Sequence, residues 1–147
     1  MYNRLLDLRE ERDMTQTDIS KIIGVNRSVI SKWESGKEII PLKHLNKYSN
    51  YFKVSFDYIL GLTNNKQKKT NYIELDTKII GERIKYFRKH YNLTLRKVAE
   101  ELKTSSSTIS AYETGKTLIL TSFAYQLCKD YNISLDWLCG KTNKKEL

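Results

Sequence analysis

The sequence contains an internal repeat, and this repeat limits the folds that the chain can adopt. Residues 28–40 (SVISKWESGKEII) align without a gap with residues 107–119 (STISAYETGKTLI), so the two segments lie 79 positions apart. At the same offset, residues 54–64 (VSFDYILGLTN) align with residues 133–143 (ISLDWLCGKTN). Four of the six glycines also fall in register. Because turn residues and apolar residues repeat together, the sequence predicts two copies of one small domain, each just large enough to bury its own core.

The composition between the two copies indicates a linker. Residues 64–77 are polar and basic at first and then mildly apolar, so we expect a connecting segment with a short ordered stretch around residues 72–75. The expected organisation is therefore a first domain over residues 1–63, a linker over residues 64–77 and a second domain over residues 78–147.

The chain carries a strong positive charge. It has 26 Lys and Arg residues against 17 Asp and Glu residues, which gives a net charge of +9. The excess is +2 over residues 1–63, +1 over residues 64–77 and +6 over residues 78–147. This balance favours a polyanionic partner, with nucleic acid as the first candidate. Ordinary solvated lysines are the alternative explanation of the same composition.

Several classes of protein do not fit the sequence. No apolar run approaches the roughly 18 residues that a membrane span needs, and the charged, helix-patterned N-terminus is unlike a signal peptide. The two cysteines, Cys128 and Cys139, are too few for a disulfide framework, and we expect buried, inert thiols in a cytoplasmic protein. There is no phosphate-binding glycine loop, no metal-ligand cluster and no paired base and nucleophile. We therefore expect no enzymatic activity, no cofactor and no metal.

The apolar spacing is helical throughout and predicts an all-α fold. In the first copy we expect a first helix over about residues 2–12, with Leu5 and Leu8 facing inward. A second helix is expected from residue 16 to residue 23. Thr15 and Asp18 are expected to cap this helix and Gly24 to end it. Its buried face is expected to consist of Ile19, Ile22 and Ile23.

Three further helices complete each copy. The third is expected to run to about Ser35, and the fourth to end near Phe52. A short fifth helix follows the cap Ser55, with Asp57 in its first turn. Asn26 is expected to cap the third helix and Gly36 to end it, and Ile30 and Trp33 form its core face. Pro41 fits the first turn of the fourth helix.

Two short helices joined by a tight glycine turn within a five-helix unit form a helix-turn-helix arrangement. The motif TQTDI at residues 15–19, ISKWESGK at residues 30–37 and VSFDYILG at residues 54–61 resembles the Cro/CI-type helix-turn-helix family of phage and bacterial repressors. The resemblance covers residues 3–63 and, more loosely, residues 82–142. It implies two tandem five-helix, lambda-repressor-like domains.

The resemblance also implies a DNA-binding surface on the third helix. Since Ile30 and Trp33 face inward, the opposite face presents Arg27, Ser28, Ser31 and Lys32, and the N-terminal end of such a helix enters the major groove. In the family, the positions of Arg27, Ser28 and Lys32 face bases, and the position of Gln16 contacts the DNA backbone. A solvated helix face is the structural alternative. The full set of candidate DNA-binding residues is Gln16, Asn26, Arg27, Ser28, Ser31, Lys32 and Lys37.

Lys37 follows the turn glycine and is suited to a phosphate contact. The alternative is that it complements the dipole at the end of the third helix.

Arg9 and Glu34 recur as Arg88 and Glu113, and the resemblance implies a partly buried ion pair in each copy.

The second copy departs from the first on the expected reading face. Leu95, Ser106 and Ala111 stand where the first copy has Gln16, Arg27 and Lys32. Short hydroxyl side chains discriminate poorly between bases, so the base-reading role of the second copy is in doubt. The candidates for weaker DNA contacts are Ser106, Ser107, Ser110 and Lys116.

Taken together, these patterns predict a sequence-specific, double-stranded DNA-binding transcriptional regulator. The resemblance implies a bacterial or phage cytoplasm, repression more often than activation, and a homodimer, which we expect to form through the second copies. The alternative is an antitoxin or anti-repressor-type interaction protein whose second domain binds a protein partner. A small toxin gene beside this one would favour that alternative.

Overall fold

The computed structural model describes residues 1–147 and contains ten α-helices and no β-strand. A single isolated antiparallel bridge joins Ile133 and Glu146. The chain divides into two compact units, Met1–Tyr72 and Ile73–Leu147, and the division falls within the predicted linker. The all-α class expected from the apolar spacing is confirmed. None of the helices has the length and apolar character needed to cross a lipid bilayer.

Each unit consists of five helices in the same order. The helices of the first unit are α1 (Leu5–Glu10), α2 (Gln16–Ile23), α3 (Arg27–Ser35), α4 (Leu42–Phe52) and α5 (Phe56–Ile59). Those of the second unit are α6 (Thr77–His90), α7 (Leu95–Glu101), α8 (Ser106–Glu113), α9 (Thr121–Tyr131) and α10 (Leu135–Leu138). Each unit has its own apolar core, and the buried thiols of Cys128 and Cys139 lie in the second.

The helix α2 begins and ends where the sequence predicts. Thr15 and Asp18 form a reciprocal capping box, and Gly24 ends the helix in the left-handed conformation with φ of 84°. The prediction that Ile22 is buried is wrong, because its side chain is 42% exposed. Ile19 and Ile23 are four residues apart and share the buried face, whereas Ile22 lies at the edge of that face.

The starts of α3 and α4 differ in detail from the prediction. Asn26 is the N-cap residue of α3, but its side chain makes no capping hydrogen bond. Pro41 is the residue before α4 rather than a residue of its first turn. Ser55 caps α5 as predicted, and its Oγ accepts a hydrogen bond from the backbone N–H of Tyr58. The neighbouring Asp57 is buried and forms an ion pair with Lys68 at 2.9 Å.

The first helices of the two units have different lengths. The helix α1 is shorter than predicted, because the Asn3 side chain accepts from the Leu5 N–H and Asp13 adopts a left-handed φ of 53°. The helix α6 starts at Thr77, about two turns earlier relative to the repeat. Gly81 permits this extension, since a Cβ at this position would lie 2.5 Å from the carbonyl oxygens of Tyr112 and Glu113 in α8.

Two arginines recur in the repeat with the same contacts in each unit. Arg9 pairs with Glu34 at 2.7 Å, and Arg88 pairs with Glu113 at 2.6 Å, so the predicted ion pairs are confirmed. The hydrogen bonds to these glutamates raise the pKa of both arginines.

A second pair of matched arginines, one just before α1 and one within α6, contacts both the short fifth helix of its unit and the chain that follows that helix. Arg4 donates to the carbonyl oxygens of Tyr58 and Thr63, and Arg83 donates to those of Trp137 and Thr142.

The predicted linker is partly attached to the first unit. Lys66 forms an ion pair with Glu11 at 2.5 Å, and Lys68 forms the pair with Asp57 already described. The Lys53 ammonium lies 4.6 Å from the centre of the Tyr72 ring. The ordered stretch expected at residues 72–75 forms neither helix nor strand.

Candidate nucleic-acid interface

The exposed face of α3 presents the residues that the sequence singled out. Ile30 and Trp33 are buried, and this fixes the orientation of the helix. Of the predicted contacts, Asn26, Arg27 and Ser28 are exposed, and Ser31 and Lys32 are partly exposed. The N-terminal end of α3 therefore presents a guanidinium and hydroxyls to solvent, which can contact base edges or phosphates.

A chain of hydrogen bonds connects Arg27 to the buried ion pair. The Arg27 guanidinium donates to Gln16 Oε1 at 3.0 Å, and Gln16 Nε2 donates to Glu34 Oε1 at 3.0 Å. Glu34 in turn accepts two hydrogen bonds from Arg9. Gln16 was predicted as a contact to the DNA backbone; its bridge to Arg27 was not predicted. The one feature of the sequence that could have suggested this bridge is that α2 and α3 each begin with a long polar residue, Gln16 and Arg27.

Lys32 and Lys37 lie toward the other end of α3. The Lys32 ammonium is 3.5 Å from a carboxylate oxygen of Glu38, and both side chains are about half exposed. Gly36 adopts a left-handed φ of 77° with open space beside it, so the turn that carries Lys37 is accessible to a large ligand. An exposed pair of this kind contributes little to stability, and Lys32 can exchange Glu38 for a phosphate or a base.

The corresponding face of the second unit is short and polar. Ser106 and Ser107 are exposed, Ser110 is partly exposed, and Ala111 provides no polar group. Ser105 caps α8 and its Oγ lies 3.0 Å from Ser107 Oγ, so part of this hydroxyl cluster bonds to itself. Glu113 has no glutamine bridge like that of Glu34, because Leu95 replaces Gln16.

The turn after α8 has a basic neighbour that the repeat did not reveal. Lys116 is exposed in this turn, and the backbone of Lys78 at the start of α6 lies about 3 Å from the position that a Cβ on Gly115 would occupy. Lys78 is also exposed. It was missed because it precedes the repeat and has no counterpart in the first copy.

Comparisons with known proteins match each of the two units to a helix-turn-helix domain. A family model described as "Helix-turn-helix" matches residues 5–59, and one described as "Helix-turn-helix domain" matches residues 81–144. The HTH-type transcriptional activator BcrR of Enterococcus faecalis is 37% identical over 57 residues, which are 39% of this chain and 28% of that protein. The chain thus matches little more than a quarter of that relative's length.

Two crystal structures of the clp gene regulator ClgR from Corynebacterium glutamicum are also similar. Both are 23% identical to this chain with a TM-score of 0.40. The alignments cover 44% and 45% of this chain, and 68% and 86% of the respective ClgR chains.

Proposed function

The chain belongs to the helix-turn-helix family of DNA-binding transcriptional regulators, in two tandem copies, and from this premise we propose that its first domain reads double-stranded DNA by sequence. The observation that carries the proposal is the exposed N-terminal end of α3, where Arg27 is oriented by Gln16. An oriented guanidinium can donate to guanine O6 and N7 together. Ser28, Ser31 and Lys32 complete the face, and Lys37 supplies a phosphate contact.

The second domain adds affinity without adding sequence discrimination. Its α8 face carries serines and Ala111 in place of long donors, and its +6 net charge suits a sequence-independent attraction to phosphates. Lys78 and Lys116 are the side chains placed to make such contacts at the turn after α8.

The chain acts as a homodimer that forms through its second domains. One chain has a single Arg27-type face, so two chains are needed to read both halves of a palindrome with the same side chains.

The chain works in the cytoplasm as a non-enzymatic regulator and represses by occupying promoter DNA. The relative in Enterococcus faecalis is named an activator. Repression by this chain is therefore tested separately from DNA binding. A promoter containing the selected site, fused to a reporter, should lose expression when the chain is present, and increased expression would contradict repression.

The main experiment is site selection on the full chain, followed by binding measurements with the Arg27→Ala variant. This variant should lose about 1–3 kcal/mol on the selected site and lose its preference at one base position. Binding to random DNA should change much less, because base contacts contribute only to the specific complex.

A matched control removes the same charge elsewhere in the first domain. Arg12 lies beyond α1, over the rings of Tyr51 and Phe52, and is not part of the α3 face. Arg12→Ala should weaken selected and random DNA alike. Equal losses on both DNAs for Arg27→Ala would contradict the proposal, as would a site selection that yields no preferred sequence.

A further inference from the structure

The second domain has an exposed aromatic surface that its DNA-facing residues do not explain. We call the exposed Tyr86, His90 and Tyr91, together with the buried Trp137 that Tyr86 contacts, the aromatic patch. Tyr86 stacks on His90 at 5.9 Å between ring centres and meets Trp137 edge to face at 5.9 Å, and His90 contacts Tyr91 at 5.0 Å. The Tyr86 side chain is 55% exposed and that of Tyr91 is 37% exposed. Tyrosine and tryptophan are enriched where proteins associate.

The first domain does not have this surface, although it has the same scaffold. At the positions of Tyr86, His90 and Tyr91 it carries Asp7, Glu11 and Arg12. Its Lys66 is held by Glu11 at 2.5 Å. The matched lysine of the second domain, Lys145, instead lies over the rings of the aromatic patch, 5.6–6.0 Å from three ring centres. The fold therefore does not require aromatic residues at these three positions, whereas at the position of Trp137 the first domain keeps an aromatic residue, Tyr58.

Charges of both signs border the aromatic patch. An open cavity of about 650 Å³ is lined by Tyr86 and Trp137 and by two acids and two bases, Glu82, Glu146, Arg83 and Lys145. The first domain has the neutral Asn3 where the second has Glu82. In a two-fold symmetric dimer the same patch faces itself, so the acid of one copy can face the lysine of the other. A surface with aromatic residues at its centre and charges of both signs at its edge is complementary to a second copy of itself.

We propose that the aromatic patch is the surface through which two copies of this chain associate. The proposal rests on the proposed function in one respect, since it assigns residues to the homodimer suggested there. On association, Tyr86 and Tyr91 lose their contact with water, and Lys145 leaves the rings of its own chain to meet Glu82 of the second copy. The first domains remain free for DNA.

The first test replaces Tyr86 with the residue that the first domain carries at the matched position. Tyr86→Asp in the full chain should raise the dissociation constant of the dimer, measured by sedimentation equilibrium, by at least about tenfold, because a carboxylate would be buried among aromatic rings. The matched control is Leu120→Ser, since Leu120 is also 55% exposed, precedes α9 and lies outside the patch. The control should dimerise like the parent chain, and both variants should keep the parent's helical circular dichroism.

The second test exchanges the two charges between chains. Lys145→Glu alone and Glu82→Lys alone should each weaken self-association, because each places like charges opposite each other. A mixture of the two variants should form heterodimers with an affinity closer to that of the parent chain. A monomeric parent chain, a dimer unaffected by Tyr86→Asp, or a mixture no tighter than either variant alone would overturn the proposal.

Failure of this proposal and failure of DNA reading are distinguishable. If the patch is not the dimer surface, the parent chain still selects a DNA sequence and Arg27→Ala still loses it. If the chain does not read DNA, the Tyr86→Asp and charge-exchange results on self-association are unchanged. In the expected case, Tyr86→Asp keeps the binding to a single half-site and loses the additional affinity for a palindrome.

Discussion

Arg27 is a long side chain with several rotatable bonds, and freezing such a side chain on DNA costs conformational entropy. The hydrogen bond to Gln16 orders Arg27 before DNA arrives, and Glu34 in turn orders Gln16. A side chain that is ordered beforehand loses less entropy when it binds. Under the proposed function, Gln16 would therefore influence how well Arg27 discriminates between bases, in addition to any contact of its own with the DNA backbone.

Replacing Gln16 with leucine, the residue at the matched position of the second domain, tests this role. Gln16→Leu should weaken binding to the selected site by about 0.5–1.5 kcal/mol, in line with the loss of one hydrogen bond. The same change in an Arg27→Ala background should have a smaller effect on the selected site, because the two residues act through one contact. Independent, additive losses in competition binding assays would contradict an orienting role.

Lys141 is a fully buried lysine in the second domain, at the position where the first domain has Leu62. Burial lowers the pKa of Lys141 to about 8, although the charge of Asp136 opposes this shift. In the unfolded chain the pKa of the same group is about 10.4. Above pH 8 the unfolded state therefore binds more protons than the folded state, and stability rises with pH.

We accordingly expect the free energy of unfolding of the second domain to increase from pH 8 toward pH 9.5, by no more than about 1.4 kcal/mol per pH unit. Fluorescence of Trp137 in a Trp33→Phe variant reports this domain alone, since the chain has 2 Trp residues. Lys141→Leu should lose this rise with pH, because leucine binds no proton in either state. A rise that persists in Lys141→Leu would contradict the assignment.

At the level of elements, the helices whose ends are set by local chemistry could be predicted from the sequence. The helix α2 has a capping box and a glycine end, and α3 has a glycine end, and both match the prediction. The start of α6 could not be predicted, because residues before the repeat have no counterpart and Gly81 reveals its role only when α8 lies against it. The Arg27–Gln16 bridge likewise depends on how two helices are positioned.

The role of Gly81 gives a direct prediction. Gly81→Ala improves intrinsic helix propensity by up to about 1 kcal/mol, but its methyl group would lie 2.5 Å from two carbonyl oxygens of α8. We expect steric overlap to dominate and the second domain to lose about 1–3 kcal/mol in urea denaturation. Lys85→Ala, at an exposed position of the same helix, should change stability by less than about 0.5 kcal/mol. A Gly81→Ala variant as stable as the parent would show that α6 and α8 are packed less closely.

For the molecule as a whole, the salt dependence of binding reports how many phosphates the chain contacts, and so tests the contacts proposed for each domain. Each lysine that neutralises one phosphate contributes about 0.9 to the slope of log affinity against log salt concentration. Lys37→Ala should therefore lower the slope by about one unit, and Lys78→Ala with Lys116→Ala by about two. If the double variant leaves the slope unchanged, the second domain does not touch DNA through this turn.

The ion pairs of the linker have a consequence for how the domains cooperate. A flexible segment of about 14 residues has a root-mean-square span of roughly 20 Å. With Lys66, Lys68 and Tyr72 attached to the first unit, only residues 73–76 separate it from α6. Four residues reach at most about 14 Å. The local concentration that each domain experiences near the other is set by this tether. Salt screens the buried Lys68–Asp57 pair only weakly, so the tether stays short as the salt concentration rises. Ionic strength would thus lower the avidity of the chain for DNA at the phosphates and leave the length of the tether unchanged.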